Sequence, residues 1–419
     1  MQERIGFLRA SALGVLLTAA CGVNAAADLT LEAAENLALA ADPGVQSVEA
    51  NRLALEEMAV ASGQLSDPLL KMGFVSLPTD SFRLGQEPMT QVQVGLVQKF
   101  PRGQSRSLRA RQIGLKSEGL NASARDQALQ VTLAVREQYL EVLKQQRLAR
   151  INAEAIQALA DVLEITEDYY ATGRVQQQDV LQAAVELAKV EDRATRIAQA
   201  EEQARTRLAT WIGEAAYGNL AGDWPALPAP GPLQAVREEL RGHPRISALE
   251  KQVSAAETGV ELARQRYKPE FALDLTYGGR SGANPDGSSR TDLLTFMVVM
   301  DIPLFRKNRQ DRVVAAQVAE SSAALFHRDD MLRRLSAEAE SHAATHAKQR
   351  ARIELFESRL LPEAAYSSEA SLGAYQSSLS DLTTLLRTQL TEFDLQLEHA
   401  RLQAELRKTA ARLLYLEGA

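Results

Sequence analysis

Two histidines, His342 and His346, lie four residues apart in a stretch of helical spacing, which sets both rings on one helix face as a pair of metal ligands requires. No cluster of carboxylates and histidines accompanies them, and no metal site is expected. Two cationic groups stand out more. Arg102, Arg106 and Arg109, and later Arg306, Lys307, Arg309 and Arg312, fall at the start of long helical stretches. A helix dipole disfavours cations there, so an outside anion such as a lipid phosphate or a lumen carboxylate, or a solvated charged face, must account for them. No nucleophile elbow, phosphate loop or zinc signature is present, so neither an enzyme nor a cofactor is expected. The one cysteine, Cys21, follows Leu17, Thr18, Ala19 and Ala20, a weak lipidation motif that is also compatible with an ordinary cysteine of an export signal.

The elements that must position these groups occur twice. Pro43 and Pro68 return 201 residues later as Pro244 and Pro269, and Pro101 and Asp179 return 202 residues later as Pro303 and Asp381. Such an offset marks two copies of one structural unit, too long for a short-repeat solenoid. The expected organisation is an export signal at 1–27, a first repeat at 28–217, a Pro-rich linker at 218–232 and a second repeat at 233–419. The signal has basic Arg4 and Arg9, an apolar run and a small-residue end near Ala27.

The 419 residues include only 5% aromatics, thin for conventional cores, and are rich in Ala, Leu, Gln, Glu and Arg, as in long helices. A net charge of −7 argues against a nucleic-acid partner. In each repeat a helix interrupted at Pro43 or Pro244 leads to a β-hairpin (69–100, then 271–302) and a long helical hairpin. The first helix is expected to reach about Ser66. Residues 69–77 and the run from Met89 alternate apolar and polar positions, as do 271–277, while in 291–302 Leu294, Phe296, Val298, Met300 and Ile302 make one apolar face and the other mixes Thr295 and Asp301 with apolar residues. Residues 102 to about 170 lack proline and predict a rod of roughly 100 Å. In the second repeat the long helix is expected to end near Leu372, with a break from Gly373 to Ser380.

Strands of about nine to twelve residues match a tilted crossing of a bilayer. Four strands cannot close a barrel, and an open edge in hydrocarbon leaves backbone groups unsatisfied. Either the chain oligomerises, three copies giving twelve strands, or the hairpins are soluble caps on a coiled coil.

The two-copy layout, the two hairpins, the junctions FPRGQSR and IPLFRKNR, and the turns YATGRVQQQDVL (170–181) and YQSSLSDL (375–382) together resemble the TolC family of outer membrane efflux proteins across essentially the whole mature chain. The resemblance implies a mainly α protein with a small membrane β part. It would be a homotrimer whose twelve-stranded outer membrane β-barrel continues into a periplasmic α-helical barrel. Outer membrane lipid, a periplasmic adaptor protein and an inner-membrane RND-type pump would be its partners. Carried over by position, Gly173, Arg174 and Val175, with Tyr375, Gln376 and Ser377, resemble the helical tips that contact the adaptor and close the tunnel. Tyr375 stands where the family usually has glycine. Asp381 resembles an aspartate that, repeated by symmetry, rings the periplasmic aperture and favours cations, a neighbouring family aspartate falls on Thr384, and Asp179 is the repeat equivalent of Asp381. For either aspartate an N-capping role is the competing reading. The segments PLLKMGFVSLP and TQVQVGLVQKFP are similar to the heavy-metal (CzcC-like) efflux branch, which implies metal-cation cargo. A drug efflux or type I secretion channel, or a periplasmic coiled-coil adaptor or scaffold, remain alternatives.

Overall fold

A computed structural model describes residues 28–418; the expected export signal and Cys21 lie outside the described residues. The first elements are helix α1 (Leu31–Ala41) and helix α2 (Pro43–Ser62). Thr30 caps α1 by accepting from the Ala33 N–H at 3.2 Å, and Asp42 caps α2 by accepting from Val45 N–H at 2.7 Å, with Pro43 at a position that has no donor to lose. Helix α2 stops at Gly63 rather than near Ser66. Asp67 precedes Pro68, whose ring bars it from helical geometry, and the chain straightens before reaching it.

Strands β1 (Leu69–Val75) and β2 (Gln91–Phe100) form the first hairpin. Ser76, at φ 55°, ends β1 two residues before its expected limit. Helix α3 (Ser105–Ala171) is 67 residues long, a rod of roughly 100 Å. Helix α4 (Gln177–Ile212) returns along it, and a short 3-10 turn (Gly213–Tyr217) leads into the linker. The linker is strapped down. Leu220 bridges Leu29 in parallel, and the Tyr139 hydroxyl donates to the Leu29 carbonyl at 2.7 Å.

Helices α5 (Leu233–Glu239) and α6 (Pro244–Arg264) follow, the second capped by His243 Nδ1, which accepts from Arg245 N–H at 3.2 Å. Strands β3 (Phe271–Gly279) and β4 (Leu293–Met300) make the second hairpin. The second long rod starts only at Gln310, because Pro303 and the turn at 306–309 interpose a nine-residue junction. It runs as α7 (Gln310–Leu355), one π-helical turn (Phe356–Leu360) and α8 (Leu361–Gln376). Pro362 offers no N–H to the preceding turn and its ring crowds the carbonyl four residues back, which the widened π turn accommodates. Helix α9 (Leu382–Glu417) returns.

The expected break at Gly373 is absent. The helix passes through it to Gln376, because the roughly 1 kcal/mol that glycine costs inside a helix is offset by packing of Leu372 and Tyr375 into the core of the tip.

The two hairpins join into one antiparallel sheet of order β1-β2-β3-β4. Beside it α2, α3, α6 and α7 pack in that same order, each strand continuing into the helix adjacent to it in sequence. Towards the other end α4 packs on α3, α3 on α9, and α8 on α9. The core is a series of small clusters along the rods instead of one nucleus, as around Val131, Val135 and Leu208, around Leu240, Ile246 and Leu335, and around Leu159, Leu385 and Leu386. Among the described residues no helix is long and apolar enough to cross a membrane.

Candidate functional site

Register determines which side chains share a face of the sheet. Leu70, Leu96, Leu275 and Phe296 are aligned partners across the four strands, and so are Met72, Val94, Tyr277 and Leu294. These are exposed, and together they make a continuous apolar face. The opposite face carries every charged residue of the strands, Lys71, Lys99 and Asp274, with Gln91, Gln93, Thr276 and Thr295. Lys71 pairs with Asp274 at 2.7 Å across the two hairpins, and Gly95 lies so close to Thr276 that a Cβ there would overlap it. Neither β1 nor β4 has an outer partner among the described residues.

Where the strands enter the rods, the backbone ladder extends by one pair. Asp301 N–H donates to the Glu270 carbonyl at 3.1 Å, and Glu270 N–H donates to the Asp301 carboxylate at 2.6 Å. Alternation puts both side chains on the charged face. Arg102 reaches across from the first hairpin to pair with Asp301 and, at 3.5 Å, with Glu270. The carboxylate partners of Arg102 therefore come from its own chain. Arg106 is within 3.5 Å of the Gly63 carbonyl, and Arg306 lies 5.9 Å from the Tyr267 ring centroid. Lys307 and Arg309 are exposed, while Arg109 and Arg309 line two adjoining cavities of about 480 and 730 Å³.

At the far end the turns corresponding in sequence do not correspond in space. Gly173 (φ 72°) donates to Tyr170, and Arg174 to Tyr169; in the second turn Ser378 (φ 57°) donates to Tyr375, and Leu379 to Ala374. The matching residue of Gly173 is thus Ser378, not Tyr375. Helix bounds agree, with 310 − 105 = 205 and 382 − 177 = 205. The longer second junction shifts the register of everything after it. Asp179 and Asp381 are accordingly not equivalent. Asp381 is the N-cap of α9, accepting from Thr384 N–H at 2.7 Å, and that bond holds its carboxyl below the usual range. Gln176 is the N-cap of α4, and Asp179, three residues in, reaches back to the Gln176 N–H at 3.0 Å in a capping box. Thr384 takes the place of Asp179.

Tyr375, placed among exposed tip residues by the sequence, is 3% exposed. Its ring lies 5.7 Å from that of Tyr169, its hydroxyl is 3.2 Å from that of Thr166, and burial pushes its pKa up. Tyr169 donates to the Gln376 carbonyl at 3.1 Å, and Arg174 stacks 5.3 Å from its ring centroid. These residues fasten one hairpin to the other. Gly173, Arg174 and Ser377 remain exposed and Val175 half-buried. Leu379, 83% exposed at the outermost turn, escaped sequence reading because one leucine in a polar turn has no periodic partner.

His342 and His346 are half-buried, and desolvation lowers both pKa values, with Arg412 and Arg350 respectively adding to the effect. Among the described residues no group of three or more His, Cys, Asp or Glu side chains comes together to hold a metal. A feature not anticipated is Trp224 of the linker. The guanidinium groups of Arg147 and Arg407 lie 5.1 and 4.8 Å from its ring centroid, and its indole N–H donates to Gln403 at 2.9 Å.

No family model and no curated protein matches the sequence. Solved structures do. The outer membrane protein VceC from Vibrio cholerae superposes with a TM-score of 0.78 at 16% identity, over 93% of this chain and 96% of that one. CusC, described in terms of folding and transmembrane channel formation, gives 0.78 at 14% over 94% and 92%. The outer-membrane channel OprN gives 0.77 at 17% over 93% and 89%. At such identities the likeness is one of fold, and it extends over nearly the full length of each chain.

Proposed function

We propose that this chain is the outer membrane duct of a tripartite export system. It would be a passive homotrimer whose sheets close a twelve-stranded barrel and whose rods extend it as a tunnel across the periplasm. The observation that carries this reading is the pair of open edges. The sheet presents β1 on one side and β4 on the other, and the helical layer beside it ends in the same order with α2 and α7. Both edge helices keep apolar side chains exposed, Met58 and Val60 on α2 and Phe326 on α7. One edge of each copy therefore meets the opposite edge of the next, a head-to-tail contact that ends only by closing a ring. Closure satisfies the strand edges that hydrocarbon would not tolerate, with the apolar face outward and Lys71, Lys99 and Asp274 inward. The fold shared with outer membrane channels supports the reading.

In this reading the two repeats are the halves of the duct wall, joined by the linker at 218–232. The turns around Gly173, Arg174 and Val175 and around Gln376 and Ser377 would face a periplasmic adaptor, with an RND-type pump beyond it. The buried Tyr375 would act as an internal strut. Asp381, with Asp179 and Thr384 one helical turn inside their helices, would border the periplasmic aperture. The cationic junction would lie near outer membrane lipid or the lumen. An export signal at 1–27, with Cys21 either removed or lipidated, fits this location.

Segments 68–78 and 90–101 support metal cations as cargo. A second reading, export of organic solutes, is favoured by the arginines of the junction, which repel free cations. Deleting the gene and measuring resistance to cobalt, zinc, cadmium and copper salts separates them. Loss of metal resistance supports the first, and unchanged resistance to all four overturns it.

A further inference from the structure

The two adjoining cavities at the strand–helix junction are lined by Arg102, Arg109, Arg266, Arg309 and Arg312, against two carboxylates, Glu270 and Asp301. Arg102 is held by both of those carboxylates. Among the described residues none of the other four arginines has a carboxylate within ion-pair distance. The nearby Asp311 is engaged by the Tyr267 hydroxyl at 2.7 Å, and Lys268, beside Gly103, adds another cation. Within one chain the cleft therefore carries uncompensated positive charge.

Its side of the wall follows from the ladder. Glu270 and Asp301 extend the face that holds every charged residue of the strands, and they line the cleft together with Ile302, which continues the apolar row by alternation, and with Leu304 and Phe305. If the apolar rows face lipid, the side of the cleft formed by Glu270 and Asp301 faces the lumen. A guanidinium is planar and always charged, and it offers paired donors matched to carboxylate and phosphate oxygens. A ring of such groups inside low-dielectric walls concentrates anions and repels free cations.

We infer that the junction is an anion-attracting station within the duct, taking carboxylate- or phosphate-bearing solutes on Arg109, Arg266, Arg309 and Arg312. The inference rests on the duct reading and, of its two cargo readings, favours organic solutes over free metal cations. Arg102 is the positioning residue, since its ion pairs join the first hairpin to the second.

The test is the reversal potential of the full-length protein in planar bilayers under a potassium chloride gradient, followed by addition of inorganic phosphate. The wild type is expected to show reduced chloride current in phosphate. The triple variant Arg109→Glu, Arg266→Glu, Arg312→Glu, checked for unchanged oligomeric mass, is expected to shift the potassium-to-chloride permeability ratio by about tenfold towards potassium and to lose the phosphate effect. Should the triple variant not assemble, Arg266→Gln alone is expected to shift the ratio part of the way. A conducting wild type whose selectivity is unmoved by these substitutions overturns the inference and leaves the duct intact. A wild type with no conductance overturns both.

Discussion

Gly173 and Ser378 hold the same left-handed backbone position in the two helical turns, at φ 72° and 57°. Only glycine takes that conformation without strain. Ser378→Gly relieves roughly 1–2 kcal/mol of left-handed cost and loses about 0.5–1 kcal/mol to added chain entropy, so the second turn is expected to gain modestly. Gly173→Ala is expected to lose about 1 kcal/mol. Hydrogen exchange of tip amides measures both, and opposite signs are the expected result.

Tyr375 is the strut of the tip. Tyr375→Phe removes its hydroxyl contact with Thr166 and is expected to cost about 1 kcal/mol. Tyr375→Ala leaves a cavity beside Tyr169 and is expected to cost about 3 kcal/mol or more, exposing residues 374–380 to limited proteolysis. Equal cleavage of both variants and wild type would contradict this role.

The strand alternation and the proline-free rods were legible because both are local patterns. Strand β2 starts within two residues of Met89, and α3 ends within two residues of Tyr170. The tip was misread because counting residues assumes constant spacing. Asp179 and Asp381 match at 202, but the second junction, from Asp301 to Arg309, inserts residues that move the helical correspondence to 205. The burial of Tyr375 and the carboxylate partners of Arg102 depend on long-range contacts, and no sequence spacing carries those.

Glu141 is clasped by Lys144 at 2.7 Å and by Lys408. Burial alone would raise its pKa, but hydrogen bonds from Lys144, Lys408 and Gln145 outweigh it and bring the value down to about 2. A depressed carboxyl stabilises the fold above its ordinary pKa, here 4.5, and the contribution is lost as pH falls through about 2. After allowance for solvent screening it is on the order of 1–2 kcal/mol. Glu141→Gln is expected to lower stability at pH 7 and to have little effect near pH 2. Thermal unfolding of both proteins across that range checks the sign.

Trp224 ties the linker to α3 and α9. Two cation–π contacts and one hydrogen bond are together worth about 2–3 kcal/mol, so Trp224→Ala is expected to release residues 218–232 to proteolysis while the rods stay folded. Cleavage spread evenly along the chain would contradict a local clamp.

The central claim is that open edges β1 with α2 and β4 with α7 close on one another in a membrane ring. It is tested most directly by extracting the protein from outer membranes in mild detergent and measuring its oligomeric mass with its conductance in a planar bilayer. A conducting species with the mass of three chains is the predicted result. A soluble monomer that does not conduct would contradict it and bring the periplasmic scaffold reading to the front.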